Sequence, residues 1–142
     1  VPVLASVGFR VTMYDDREAL AKPERYPSAD EVICGSFADI SARVQLTADD
    51  YVVVMTPGHQ ADYEILTQVL RSEATYIGCI GSRGKVAKTR ERLLSDGFDE
   101  REIARIHAPI GLPILAETPE EIAVSVAAEM IEHRARRAGV KK

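Results

Sequence analysis

The sequence predicts an α/β domain built on a mainly parallel sheet, and three observations carry that expectation. Short β-prone runs alternate with segments of helical spacing along the chain. The run Tyr51-Val-Val-Val-Met-Thr56 is apolar without alternation, as in a parallel strand covered on both faces. Residues suited to holding an anion recur where these runs end, at Asp15, at Thr56 to His59 and at Gly81 to Lys85.

Taken in order, Val1 to Val7 reads as the last turns of a helix stopped by Gly8. Arg10-Val-Thr-Met-Tyr14 is a strand ending at Asp15-Asp-Arg17. Lys22 to Asp30, with Pro23 and Pro27, is a loop, and Glu31-Val-Ile-Cys34 is a short strand closed by Gly35-Ser36. Phe37 to Leu46 has helical spacing at Phe37, Ile40 and Val44. After the strand at 51–56, a helix from about Gln60 to Arg71 puts Tyr63, Leu66, Val69 and Leu70 on one side. Tyr76-Ile-Gly-Cys-Ile80 is the next strand, and Gly81-Ser-Arg-Gly-Lys85 opens a helix that Gly97 ends. Asp99-Glu-Arg-Glu102 has capping-box spacing for a further short helix. His107 to Pro113 is too rich in proline and glycine for a central strand and is expected to loop over the carboxyl edge of the sheet. Thr118-Pro-Glu-Glu121 combines a capping threonine, proline at the first helical position and a closing glutamate. The helix it starts is expected to reach about Arg136 with a core stripe of Ile122, Ala123, Val126, Ala127, Met130 and Ile131, and a basic tail over 134–142.

Composition narrows the classes of function. With 142 residues, 46% hydrophobic and 28% charged, the chain suits one soluble domain spanning 1–142. A net charge of −4 excludes a general nucleic-acid binder, which depends on a basic face. No run approaches about 18 apolar residues and no signal segment opens the chain, so no membrane association and a cytoplasmic location are expected. Cys34 and Cys79 belong to no metal-like cluster, and His59, His107 and His133 are scattered, so no metal site is expected.

Three segments carry candidate chemistry. Helix N-termini leave main-chain N–H groups unpaired and carry a partial positive charge, so a strand–glycine–helix junction is a natural anion site. Here Gly81 lets a ligand approach, Ser82 caps, and Arg83 and Lys85 add charge; the alternative is a plain turn with solvated cations. Asp15 stands where the second strand of a dinucleotide-binding fold presents its ribose carboxylate, or is an ordinary loop acid. Thr56, Gly58 and His59 follow a strand, and His59 either meets a ligand or orders the turn. The convergence of the three segments on strand carboxyl ends favours the anion-site reading of the Gly81 turn.

The stretches Val53-Val-Met-Thr-Pro-Gly-His-Gln-Ala-Asp62, Tyr76-Ile-Gly-Cys-Ile-Gly-Ser-Arg83, Ala108-Pro-Ile-Gly-Leu-Pro113 and Thr118-Pro-Glu-Glu-Ile-Ala-Val124 occur in this order. Together with Gly8-Phe-Arg-Val11 and Asp15-Asp-Arg17 they resemble, over nearly the whole chain, the C-terminal Rossmann-like domain of the xanthine dehydrogenase accessory proteins (XdhC/CoxI type). The resemblance implies a Rossmann-like three-layer α/β/α fold and a maturation factor rather than an enzyme with catalytic residues of its own. Such a factor binds the molybdenum cofactor (molybdopterin), assists its sulfuration and hands it to a xanthine dehydrogenase-like molybdoenzyme, with a cysteine desulfurase as a further partner. It implies that His59 and Asp62 line the pocket and that Pro109 to Gly111 form the loop over it.

The chain departs from that pattern in two places. Thr56-Pro57 stands where the family often has Thr-His, which removes one histidine. The family's first strand and glycine-rich loop, and its N-terminal domain with a cysteine motif, precede Val1, so the domain is expected to be N-terminally incomplete. A sheet lacking that strand exposes an edge, and a homodimer is expected for that reason. Two other readings stand beside the maturation factor: an NAD(P)-binding oxidoreductase domain that uses Asp15, and a protein-docking module with no small ligand.

Overall fold

A computed structural model describes residues 1–140 apart from the side chain of His59. Contacts within the chain gather into two compact units, Val1–Arg43 and Val44–Lys142.

In the first unit, helix α1 (Pro2–Ser6) stops at Gly8, whose φ of 95° is a left-handed conformation that glycine adopts without a Cβ clash. Strands β1 (Thr12–Asp15) and β2 (Glu31–Cys34) pair in parallel, Thr12 opposite Glu31 and Asp15 opposite Cys34. The pairing is framed by side chains: Asp30 Oδ2 accepts from the Val11 N–H at 2.8 Å, and the Tyr14 hydroxyl donates to the Ser36 carbonyl at 2.7 Å. The helix expected over Phe37 to Leu46 is shorter, a 3-10 turn at Phe37–Asp39 running into α2 (Ile40–Arg43). Ser36 caps the turn, and Arg43 donates to the Cys34 carbonyl at 2.9 Å, so the last helical residue is anchored to the end of β2. The β-prone run at residues 10–14 forms its strand two residues late, which makes Asp15 the last residue of β1 rather than part of the loop after it.

The second unit is a three-stranded parallel sheet in the order β3 (Tyr51–Val54), β4 (Tyr76–Cys79), β5 (Ile106–His107). Its helices are α3 (His59–Val69), α4 (Arg83–Ser95), α5 (Glu100–Ile103) and α6 (Pro119–Arg137). The continuous apolar run of β3 predicts a strand covered on both faces, but β3 is an edge of this sheet and Val52 and Val53 remain partly exposed. The fully buried strand is β4. The segment expected only to loop begins with a strand, because the Ile106 and His107 backbones pair with Ile77 and Gly78 before the prolines intervene.

Helix α3 buries the predicted face, with Leu66, Val69 and Leu70 at 1–2% exposure. Helix α4 is mostly polar and buries Leu93 alone; it is held by side-chain contacts at its outer turns. Arg92 lies 3.8 Å from the Tyr63 ring centre and donates to Gln60 at 3.0 Å, the Tyr63 hydroxyl donates to Asp96, and Arg90 pairs with Glu100. Burial and the bond to Asp96 push the Tyr63 phenol up to about 12. Both capping boxes read from the sequence are formed, at Asp99/Glu102 and Thr118/Glu121. Helix α6 presents Ser125, Val126, Ala127 and Met130 to the core and leaves Ile131 36% exposed, so the buried face is turned slightly from the predicted stripe. Arg105 closes the α3–β4 connection by donating to the carbonyls of Leu70, Ser72 and Ala74.

Helix α6 meets the start of β4 and the end of β5 through a half-buried polar cluster. The Tyr76 hydroxyl donates to Glu129 Oε1 at 2.6 Å, His107 stacks on the Tyr76 ring at 4.6 Å, and His133 Nε2 lies 3.1 Å from Thr75 Oγ1. Burial, reinforced by the adjacent His107, holds the His133 imidazole below its ordinary value. A base whose folded pKa is depressed binds protons more readily in the unfolded chain, so stability falls as pH drops below about 6.5. Chemical unfolding from pH 7.5 to 5 is expected to show that loss, and His133→Gln is expected to flatten the profile; an unchanged profile would remove His133 from the account.

Candidate functional site

Strands β3 and β4 of the second unit deliver their chain ends to one side, and the two connections there differ in chemistry. After β3, Gly58 caps α3 and His59 is its first residue; the side chain of His59 lies outside the described residues. Thr56 turns back onto α3: its N–H and its hydroxyl both donate to Asp62 Oδ1, at 3.0 and 2.6 Å. This pair ties the strand end to the first turns of the helix, where a carboxylate also opposes the helix dipole favourably.

After β4, Gly81 turns the chain at a φ of 156° and Ser82 caps α4, its hydroxyl oxygen accepting from the Lys85 N–H at 3.4 Å. The N–H groups of Arg83 and Gly84 have no partner among the described residues, as the first turn of a helix requires. Ser82 to Lys85 are all exposed, and a Cβ built on Gly84 meets nothing within 4 Å, so the turn is open to a ligand.

Beneath this turn lies a cavity of about 300 Å³. Helix α3 contributes Asp62 and Leu66, the end of β4 contributes Cys79, Ile80 and Gly81, and α4 contributes Lys85, Val86, Thr89, Arg90 and Leu93. The far wall is Ile103, Ala104, Ile106 and Ala108. The cavity thus has an apolar floor, a carboxylate and a thiol at one end, and cations on the α4 side. Burial, with the Asp62 charge adding to it, pushes the Cys79 thiol up to about 12, so it stays protonated at neutral pH.

Of the residues expected at a site, Asp62, Gly81 and Lys85 are brought to this cavity, Thr56 reaches it through Asp62, and Ser82 and Arg83 stand at the helix start. Gly58 acts as a helix cap. Pro109 is exposed and does not line the cavity; its neighbour Ala108 does. The segment is pinned from both sides, with the Ile110 N–H donating to the Cys79 carbonyl at 3.1 Å and the Leu112 N–H to the Ser125 carbonyl at 3.2 Å. Gly111 faces α6, where a Cβ would stand 2.3 Å from Ser125 Oγ. Asp15 belongs to the first unit. Both its oxygens are engaged by Arg17, Oδ1 by the main-chain N–H and Nε and Oδ2 by the guanidinium at 2.8 Å, which holds the carboxyl below its ordinary range.

Thr89 and Arg90 were missed from sequence although Lys85 and Thr89 stand one helical turn apart, as do Val86 and Arg90; helical spacing from Lys85 was the available signal. Cys79 belongs to no motif in the sequence, and its place in the cavity wall depends on the end of β4. Among the described residues, no group of three or more His, Cys, Asp or Glu side chains is placed to hold a metal, and no helix is long and apolar enough to cross a membrane.

Residues 1–130 match the profile of a family described as the XdhC Rossmann domain. The chain is 37% identical over 132 residues to a Bacillus subtilis protein named as a probable xanthine dehydrogenase subunit, covering 93% of this chain and 38% of that protein. It is 33% identical over 129 residues to the protein YqeB of Escherichia coli K12, covering 90% of this chain and 24% of that one. A crystal structure of a xanthine dehydrogenase from Bacillus halodurans superposes with a TM-score of 0.82 at 34% identity, over 96% of this chain and 38% of that chain. The chain therefore spans well under half the length of these relatives.

Proposed function

This chain belongs to the XdhC Rossmann domain family, and from that premise we propose that it is the cofactor-holding domain of an accessory factor for a xanthine dehydrogenase-like molybdoenzyme. Its cargo in this reading is the molybdenum cofactor, held while its sulfur ligand is installed and then passed to the enzyme. The observation that carries the reading is the free helix start at Arg83 and Gly84, opening with Lys85 on a cavity of about 300 Å³. A phosphate suits the unpaired N–H groups and the cations, and a planar ring system suits the apolar space beside them.

The protein's own residues supply binding and exclusion of water rather than turnover. Arg83 and Lys85 draw in the phosphate, Leu66, Val86 and Leu93 exclude water from the ring, and Asp62, fixed by Thr56, supplies an acceptor. Cys79 is a poor sulfur carrier, since a thiol held near 12 offers almost no thiolate at neutral pH. The sulfur is therefore assigned to a partner such as a cysteine desulfurase. The relatives named for xanthine dehydrogenase support the target class. The NAD(P) alternative needs the Asp15 carboxylate for the ribose, and that carboxylate is already engaged by Arg17. A homodimer remains part of the proposal, and sedimentation at high micromolar concentration tests it.

Titration with molybdopterin, NAD and NADP tests the reading. The pterin is expected to bind most tightly, and the double variant Arg83→Ala, Lys85→Ala to weaken it by roughly tenfold or more, the loss of one or two charge-assisted hydrogen bonds. Nucleotide binding without pterin binding would overturn the cofactor assignment.

A further inference from the structure

Helix α6 carries a second apolar stripe on the side away from the core. Ser125, Val126, Ala127 and Met130 are buried, yet Val124 is 52% and Ile131 36% exposed, and Ala128 and Ala135 are partly exposed. At about 100° per residue, Val124, Ala128, Ile131 and Ala135 fall within about 60° of one another, opposite Val126. The outer face of a surface helix is ordinarily polar. Here the steps of four, three and four residues repeat every 3.5 on average, the period that keeps one stripe against a partner helix.

Side-chain size along the stripe is complementary to itself. A two-fold axis between positions 129 and 130 sets Val124 against Ala135 of a second copy, and Ala128 against Ile131 of that copy. Each branched side chain then meets a methyl group, and the alanines let the helix axes approach closely. Charge is divided along the helix in the same sense. Glu117, Glu120 and Glu121 stand at its start, and Arg134, Arg136 and Arg137 in its last turn. Antiparallel pairing lays each acidic start beside a basic end, whereas parallel pairing sets like charges together. Arg136 and Arg137 already pair with Glu132 and Asp49, at 3.6 and 2.8 Å, so the attraction acts as the field of the helix end rather than through new ion pairs.

We propose that the outer face of α6 is the homodimer interface, packing antiparallel on the α6 of a second copy about that two-fold axis. The inference rests on the homodimer reading given above and names its surface: an exposed sheet edge was the reason to expect a dimer, and this contact needs no strand. From Val124 to Ala135 the stripe runs about 17 Å, a short contact at the low end of interface sizes, so the dimer is weak.

Sedimentation equilibrium of the purified protein from low to high micromolar concentration tests the interface, alongside Val124→Lys. The lysine keeps the helix supported by Glu120 one turn earlier, but it faces the basic end of the second copy. The native protein is expected to dimerise in that range, and Val124→Lys to weaken the dimer by roughly tenfold or more. Melting temperatures are expected to agree at low concentration, where both proteins are monomeric. Orientation is read by cross-linking in a Cys34→Ser background, which removes the exposed native thiol. Val124→Cys and Ala135→Cys proteins are oxidised alone and mixed, and a disulfide is expected only between the two variants. Disulfides within each variant alone, with none across the mixture, would overturn the antiparallel pairing. A dimer that persists unchanged in Val124→Lys would overturn the α6 interface and leave a homodimer built on another surface. A native protein that stays monomeric throughout would overturn both readings. Should Val124→Lys fail to fold, the mixed disulfide decides by itself.

Discussion

Tyr76→Ala is expected to destabilise the second unit by about 3–5 kcal/mol, the range for truncating a buried aromatic side chain. Tyr76 is 1% exposed at the start of the central strand, and its ring is stacked against His107 and edge-on to His133. Truncation opens a cavity under α6 and removes the donor that Glu129 Oε1 holds at 2.6 Å. The two costs separate in Tyr76→Phe, which retains the ring and removes only the hydroxyl; about 1–2 kcal/mol is expected there. Denaturant unfolding followed by circular dichroism measures both. A loss in Tyr76→Phe as large as in Tyr76→Ala would mean that the hydrogen bond, not packing, fastens α6 to the sheet.

Gly111→Ala is expected to cost about 2–4 kcal/mol, from a left-handed backbone and from overpacking together. Gly111 has a φ of 97°, and a Cβ there would lie 2.3 Å from Ser125 Oγ and 3.2 Å from the Ser125 carbonyl carbon. Ser125 cannot simply swing away, because its hydroxyl donates to the Leu112 carbonyl at 2.6 Å and its own carbonyl accepts from Leu112. The substitution therefore pushes the 108–113 segment off α6. Since Ala108 lines the cavity, ligand affinity is expected to fall with stability. Gly111→Ala combined with Ser125→Gly tests the cause: relief of the clash should recover part of the loss, and no recovery would leave backbone strain as the whole effect.

Much of the local structure was legible before any coordinates. The two capping boxes, the buried face of α3 and the glycine stops after α1 and α4 follow from interactions within a few residues, and they form as read. The helix start at Ser82 to Lys85 is equally local, since a capping serine after a glycine turn opens a helix wherever it lies. Less legible was how the chain distributes burial. A valine-rich run announces β structure but not its place in a sheet, and β3 lies at an edge while Gly78-containing β4 is central.

The sequence by itself determined the α/β class, the order of elements apart from β5, the family and the basic helix start, because each depends on periodicity, capping or a contiguous motif. Only the tertiary structure decided which of the candidate residues meet. Asp62 has one oxygen engaged by Thr56, whereas Asp15 has both engaged by Arg17, a distinction no spacing encodes. Cys79, Thr89 and Arg90 joined the cavity because a strand end and a helix face converge on it, and such convergence is set by packing between elements rather than by neighbours in the chain.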